Sequence, residues 1–566
     1  MRIIKYIGFA IIAIFVNLYF QFLAFKLQSG SESLLVPMLC GTLAGLITKY
    51  LLDKRFIFDY VAVNNIDQAR SFILYSLGGI FTSFIFWATE ITFHIFFEDP
   101  KAKYLGAFIG LSIGYSIKYF LDKRYVFNSQ EDYYMSKNSW GMHPKIDSKV
   151  FNFDDQIALK KIINDNNELI PFGNGRSYGD SALSTNIIDL RNNKEIIDFQ
   201  EDTGILHVQS GVLLSEIIDV FIPKGWFLSV TPGTKYITVG GAIASDIHGK
   251  NHHIDGCFSE FIKEFKIMLA DGSIEICSKD ILPDLFKATC GGQGLTGIIL
   301  DAKIYLRRIK SQYIDQVTIK TKNLKETFEA FEKYNNKSYS VAWIDCFAEG
   351  DNVGKSLIKF GDFKNDGNLN YKVKKRIYIP FNFPSLILNK WSVKVFNWLY
   401  FNKIRTSTSR QTVGIDAFFY PLDSIGRWNR IYGKKGFTQY QFILPKELSY
   451  DGLNEILSVI SKSGKGSFLA VLKLYGESND NYLSFPMKGY SLALDFKIEK
   501  GLSNLLRKLD RIVIKYHGRI YLSKDVRITK DIFEKGYPKI NVFRKFREEN
   551  GMDKKFQSLQ SKRVGI

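Results

Sequence analysis

Hydrophobic and polar positions divide the chain into two textures. Up to residue 127 the apolar residues form long runs, near 7–27, 34–52, 71–97 and 104–121. Each approaches the roughly 20 residues needed to cross a hydrocarbon core, so the pattern predicts a four-helix transmembrane bundle over 1–127. Arg2 and Lys5 precede the first run; Lys54, Arg55 and Arg70 separate the second from the third; Lys123 and Arg124 follow the fourth. By the positive-inside rule both ends of the bundle are expected in the cytoplasm. That predicts a multi-pass protein of the inner membrane whose remaining chain is cytoplasmic. After residue 127 the texture changes. The polar stretch 128–148 reads as a linker. Short apolar runs such as Asn186–Leu190, Ile205–Val208 and Phe265–Leu269 then alternate with turns and helical stretches such as Leu213–Phe221. This is an α+β pattern. It suggests a glycine-rich ligand-binding domain over 149–310, an aromatic-rich second domain over 311–515, and a C-terminal segment over 516–566.

Composition narrows the class. The chain has 566 residues, 46% of them hydrophobic, and a formal net charge of +19. That balance suits phosphorylated ligands, an anionic membrane or nucleic acid. No zinc-finger spacing or nucleic-acid module accompanies it. Cys40, Cys257, Cys277, Cys290 and Cys346 lack paired spacing, which argues against a disulfide framework.

The first quarter contains a repeat. Lys49-Tyr-Leu-Leu-Asp-Lys-Arg-Phe-Ile-Phe58 recurs 69 residues later as Lys118-Tyr-Phe-Leu-Asp-Lys-Arg-Tyr-Val-Phe127. Near identity over ten residues points to a shared structural role. On this repeat, residues 1–127 resemble the GtrA-like family, which implies binding or translocation of polyprenyl-phosphate-linked sugars. Glu90 and His94, one turn apart, either face a polar path or are solvated near the far interface.

Two glycine-rich segments carry the chemistry. One is Pro171-Phe-Gly-Asn-Gly-Arg-Ser-Tyr-Gly-Asp180; the other runs from Ser229 to His253 and includes Pro232-Gly-Thr234, Gly240-Gly-Ala242, Ser245 and His248-Gly-Lys250. Glycine lets the backbone approach a ligand closely, and successive N–H groups turn toward an anion. With Val208-Gln-Ser-Gly-Val212 and Thr289-Cys-Gly-Gly-Gln-Gly-Leu-Thr-Gly-Ile-Ile299, the series resembles the FAD-binding domain of the vanillyl-alcohol-oxidase superfamily. The resemblance implies FAD, held non-covalently. Its contacts would come from Gly173, Gly175, Arg176, Ser177, Tyr178 and Gly179, from Pro232, Gly233, Thr234, Gly240, Gly241, Ala242 and Ser245, and from Gly294, Gly297 and Ile298. His248, His252 and His253 lack an acidic or cysteine ligand at zinc spacing, so no metal is expected.

Further stretches narrow the resemblance: Asp246–His253, Ser340–Asp345, Trp428–Arg430, Gln439–Gln441, Leu483–Pro486 and Tyr521–Arg527. From Trp140 almost to the end, the chain resembles the decaprenylphosphoryl-β-D-ribose 2′-oxidase family. That implies oxidation of the 2′-hydroxyl of a polyprenylphosphoryl ribose. Lys524 would be the fixed cation at the flavin or the proton acceptor; both roles stay open. Tyr521 and His248 would share the catalytic site, while Lys250, Trp343, Gln439 and Gln441 would hold the substrate. A short-chain NAD(P)H reductase partner and a quinone acceptor are also implied. Mycobacterial members carry a cysteine where this chain has Ala493, in Tyr490-Ser-Leu-Ala-Leu-Asp495. The stretch Ile379–Phe401 mixes aromatics with lysines and reads either as a membrane-interface segment or as an amphipathic core helix. Two alternatives remain: an aldonolactone or alditol oxidase with a membrane anchor, and a lipid-sugar transporter with a non-catalytic flavin domain.

Overall fold

The computed structural model describes residues 2–27, 35–58, 60, 65–96, 102–122, 126 and 133–566 except 374 and 385. The chain forms two compact units, Met1–Tyr134 and Met135–Ile566.

In the first unit, helices Arg2–Leu27 and Leu35–Phe56 pack as one pair, and Asn65–Phe96 and Ala102–Leu121 as another. Among the described residues, no helix is long and apolar enough to cross a membrane. This overturns the expected transmembrane bundle, and with it the GtrA-like membrane domain and the multi-pass placement. Each helix carries polar groups: Asn17 and Gln21 in the first, Lys49, Asp53, Lys54 and Arg55 in the second, Asp67 and Arg70 in the third, Lys118 in the fourth. The side chains of Glu90 and His94 lie outside the described residues.

The repeated decapeptide does have a structural counterpart. Lys49 pairs with Asp53 at 2.5 Å and Lys118 with Asp122 at 3.1 Å, each one helical turn on, and both carboxylates are fully buried. Tyr75 Oη donates to Asp53 at 2.6 Å, and Lys118 donates to the Tyr75 carbonyl at 3.0 Å. Buried charges need such partners, which explains why each copy keeps the lysine and the aspartate four residues apart.

Among the described residues the second unit contains three large sheets and a two-stranded one, Ile377–Tyr378 with Ile425–Gly426. Strands Lys145–Phe151, Asn186–Asp189 and Ile170–Phe172 pair in parallel, with Tyr133–Asn138 at the edge. Part of the stretch read as a linker is therefore strand. The second sheet is antiparallel, in the order Ile196–Gln200, Ile205–Gln209, Ile298–Arg308, Ile262–Met268, Ile274–Cys277. The third has eight strands: Thr408–Gly414, Tyr313–Thr321, Ser356–Phe363, Tyr339–Ile344, Ala470–Tyr475, Gly489–Lys497, Phe437–Pro445 and Arg519–Ile520.

The third sheet builds the site by alternation. Ala342, Leu472, Leu492, Leu494, Phe442 and Leu444 point to one face. There they join Ile456, Leu457, Leu505 and Leu509 of helices Ser449–Ser463 and Leu502–Lys515 in one apolar core. The intervening residues point to the other face, among them Gln439, Gln441, Lys473, Ser491 and Asp495.

Candidate active site

Register places the sequence candidates in rows. Gln439 lies opposite Asp495, Gln441 opposite Ala493, Ala493 opposite Val471, and Val471 opposite Trp343. Lys473 lies opposite Ser491. Tyr521 joins at the end, its N–H donating to the Gln441 carbonyl at 2.9 Å. Four strands and the residue that follows a fifth thus contribute to one polar face.

His248 closes this face. Its ring lies 5.0 Å from Tyr475, 5.1 Å from Tyr521 and 5.6 Å from Phe485, centroid to centroid. Its Nε2 is 3.3 Å from Gln441 Nε2, which also reaches Ser491 Oγ at 3.3 Å. His248 Nδ1 is buried without a hydrogen-bond partner. Burial, reinforced by Lys473, His252 and Lys524, drives the His248 pKa well below the usual range, so the ring is neutral. His252 and His253 turn elsewhere. His252 Nδ1 accepts from the Gly476 N–H and its Nε2 meets Cys257 Sγ, while His253 Nε2 meets the Lys337 carbonyl.

Lys524 lies over the Tyr178 ring, 3.7 Å from its centroid. Burial lowers its pKa to about 7, against the opposing pull of Asp495 and with a further push from Lys473. Asp495 moves the other way: burial raises it, while its bonds from Gln439 (2.6 Å) and Tyr432 (3.3 Å) and the charge of Lys524 resist. Burial also brings Lys473 down to about 8. Lys250 is lowered well below its usual value by burial and by Lys359 and Lys473; its ammonium donates to the Phe418 carbonyl and lies 4.7 Å from that residue's ring centroid. Trp343 donates Nε1–H to the Phe468 carbonyl at 3.0 Å and packs on Tyr400.

Lys473 and Asp495 were not singled out in the sequence. The signal available was a charge within an otherwise apolar strand, as in Ala-Val-Leu-Lys473-Leu-Tyr and Ser-Leu-Ala-Leu-Asp495-Phe.

The glycine loops stand beside Lys524. The Tyr178 N–H and Ser177 Oγ both donate to the Ser523 carbonyl, at 3.0 and 2.9 Å. A Cβ on Gly179 would run into the Asp525 carbonyl, and one on Gly173 into Thr238 Oγ1. Gly175, Gly294 and Gly297 have φ of +60°, +78° and +155°, which favour glycine. Gly240 packs on Ser210 and Ala242 is buried. Thr238 caps the helix Val239–Ala244, accepting from the Gly241 N–H, and Ser245 ends that helix and accepts from Tyr521 Oη at 3.2 Å. Thr234 Oγ1 donates to Asp423, and Ile298 is a core strand residue. These contacts hold the loops' shape.

Other parts are left for a ligand. Gly233, next to Pro232, has nothing within 4 Å of where a Cβ would sit. Arg176 stacks 4.0 Å from the Trp140 ring centroid, and among the described residues its guanidinium has no hydrogen-bond acceptor. An open glycine, a free guanidinium and the orphaned His248 Nδ1 fit a dinucleotide with a pyrophosphate and a flavin edge. A hollow of about 720 Å³ among Glu168, Arg544, Arg547 and Lys562 shares no residue with this site.

The FAD binding domain family matches residues 151–278. With the loops and the polar sheet face, this match defines an FAD-dependent oxidoreductase acting on a CH–OH group. Over 451 residues the chain is 34% identical to decaprenylphosphoryl-beta-D-ribose oxidase of Mycolicibacterium smegmatis, spanning 75% of this chain and 96% of that one. The chain belongs to the decaprenylphosphoryl-β-D-ribose oxidase family. It is also 22% identical over 401 residues to L-gulonolactone oxidase of Mus musculus, covering 67% of this chain and 85% of that protein. A putative D-arabinono-1,4-lactone oxidase of Neurospora crassa is 32% identical over 130 residues, 23% of each chain.

Proposed function

We propose that this protein oxidises the 2′-hydroxyl of a polyprenylphosphoryl-β-D-ribose to the 2′-ketone, a step toward the arabinose lipid. The observation that carries the reading is a cluster of lysines around the polar face. Lys473 acts through its charge on Lys524, Lys250 and His248, Lys524 acts on His248 as well, and among the described residues none of the three lysines forms an ion pair. Ammonium groups held partly neutral by burial are suited to an anionic substrate, whose phosphate restores their charge on binding.

FAD supplies the hydride acceptor when bound. Arg176 and the open backbone around Gly233 would hold its pyrophosphate. Gln439, Gln441 and Lys473 orient the sugar by hydrogen bonds from fixed strand positions. His248, neutral and wedged between Tyr475 and Tyr521, keeps Gln441 in place. Lys524 would either accept the hydroxyl proton as the neutral amine or, protonated, place a fixed positive charge beside the bound flavin. A short-chain NAD(P)H reductase that consumes the ketone, and a quinone that takes up electrons, complete the proposal.

The test is anaerobic addition of polyprenylphosphoryl ribose to the purified FAD-loaded protein. Loss of the oxidised-flavin absorbance band supports the reading. An unchanged spectrum with that lipid, together with bleaching by an aldonolactone or alditol, overturns it in favour of a soluble-sugar oxidase.

A further inference from the structure

Helix Lys390–Asn402 inverts the usual amphipathic arrangement. Its inner face holds Val393 and Asn397, and Asn397 Nδ2 donates to the buried Asp345 at 2.7 Å. Its outer face carries Trp391, Val395, Trp398 and Leu399, which fall within about 100° of arc. Trp391 and Trp398 are 75% and 62% exposed. The segment leading into the helix adds Ile377, Phe381 and Leu386, all exposed. Asn389 caps the helix by accepting from the Trp391 and Ser392 N–H groups, and Lys497 Nζ donates to the Leu388 carbonyl at 2.8 Å. The apolar face is therefore held in a fixed position.

The segment's own charge has one sign. Residues 367–415 contain nine Lys and Arg and no Asp or Glu. Among the described residues, Lys372, Lys375, Lys390, Lys394, Lys403 and Arg405 have no carboxylate partner. A protein partner would need a similarly extended acidic and apolar surface, whereas an anionic bilayer offers both at once. Tryptophan is also the side chain most suited to the lipid–water boundary.

A cleft of about 190 Å³ opens at the start of this helix, between Leu388, Asn389, Lys390 and Val393. Tyr432, Phe468, Phe496 and the buried Asp495 also line it, with Lys465, Lys497 and Glu499 as its charged wall. Asp495 is the carboxylate that bonds Gln439, so the cleft at the helix's start reaches a residue of the polar sheet face.

We infer that the outer face of helix Lys390–Asn402 and the segment before it rest on an anionic lipid bilayer, and that the cleft at the helix's start admits the substrate's lipid tail. The tail's path rests on the proposed function; the docking does not. This is attachment by one helix face lying in the plane of the surface.

The experiment uses the full-length FAD-loaded protein. The amino-terminal helices expose apolar side chains of their own, such as Phe15 and Phe22, so the read-out must be local. Vesicles of phosphatidylglycerol with brominated acyl chains quench any tryptophan that enters the acyl region. The wild type is expected to be quenched, and W391F/W398F to lose that component at unchanged flavin content. K375E/K394E is expected to bind the vesicles at least tenfold more weakly, since each basic residue at an anionic surface contributes roughly fivefold. Quenching undiminished in W391F/W398F overturns the inference. So does light scattering in which W391S/W398S converts a dimer to a monomer, which would make the face an interface between copies. For the tail, W391S/W398S is expected to slow turnover of long-chain substrate in vesicles at least tenfold while sparing a short-chain, water-soluble analogue. Equal loss on both overturns the path. Absence of turnover on either lipid by the wild type refutes the proposed function alone, because quenching still reports docking.

Discussion

Asp495→Asn isolates the electrostatics of the site. Lys524 falls from 10.5 to about 7 chiefly through burial, against the pull of Asp495. That drop corresponds to about 5 kcal/mol against the ammonium form. A nearby opposite charge is generally worth about 1–3 pKa units. Asparagine keeps an oxygen for the bond from Gln439 but removes the charge, so Lys524 should fall by about one unit or more. The assay is kcat/KM for the lipid ribose between pH 5 and 9. Wild type should show an inflection near pH 7, a property of the coupled Lys524–Asp495 pair, and D495N should move it toward acid by about one unit or more. The sign assigns the role: activity that rises with pH identifies the neutral amine as proton acceptor, and activity that falls identifies a fixed cation. Lys524→Met should abolish that limb and cost about 10²–10⁴ in rate. An inflection that stays in place in D495N, or none between pH 6 and 8 in the wild type, refutes the coupling. Stability gives a second check. The folded pKa of Lys524 lies below its unfolded value, so between about 7 and 10.5 the unfolded chain holds more protons. The Lys524 contribution therefore makes folding more favourable as pH rises through that window, and the burial penalty is fully present below it.

Three further outcomes are expected. Gly233→Ala should leave the thermal stability of flavin-free protein unchanged but weaken FAD binding in titration, whereas Gly179→Ala, which collides with the Asp525 carbonyl, should lower both. Gln441→Leu strips His248 of its remaining hydrogen-bond partner and should lower unfolding free energy by about 1–3 kcal/mol, measured by chemical denaturation. Thiol-directed inhibitors should add no mass to the peptide bearing Ala493, while Ala493→Cys should restore attachment.

The glycine loops were legible in the sequence because close packing admits no substitute: Gly173 and Gly179 touch neighbouring atoms where a Cβ would be. Lys524 was legible only through the resemblance of its surroundings. Lys473 and Asp495 were not, because their meaning depends on register. Lys473 meets Ser491, and Gln439 meets Asp495, only once three strands are aligned. The amino-terminal segment misled for a related reason. A count of apolar residues does not reveal that Asp53 and Asp122 turn inward to lysines of their own helices.

The bond from Ser177 Oγ to the Ser523 carbonyl joins residues 346 positions apart. A ribosome adding about 5–20 residues per second needs on the order of 20 to 70 s to cover that distance. The first loop of the cradle therefore waits through most of translation for the segment that braces it. Cofactor loading becomes an event of the finished polypeptide, and a nascent chain arrested before residue 523 cannot assemble the complete pocket.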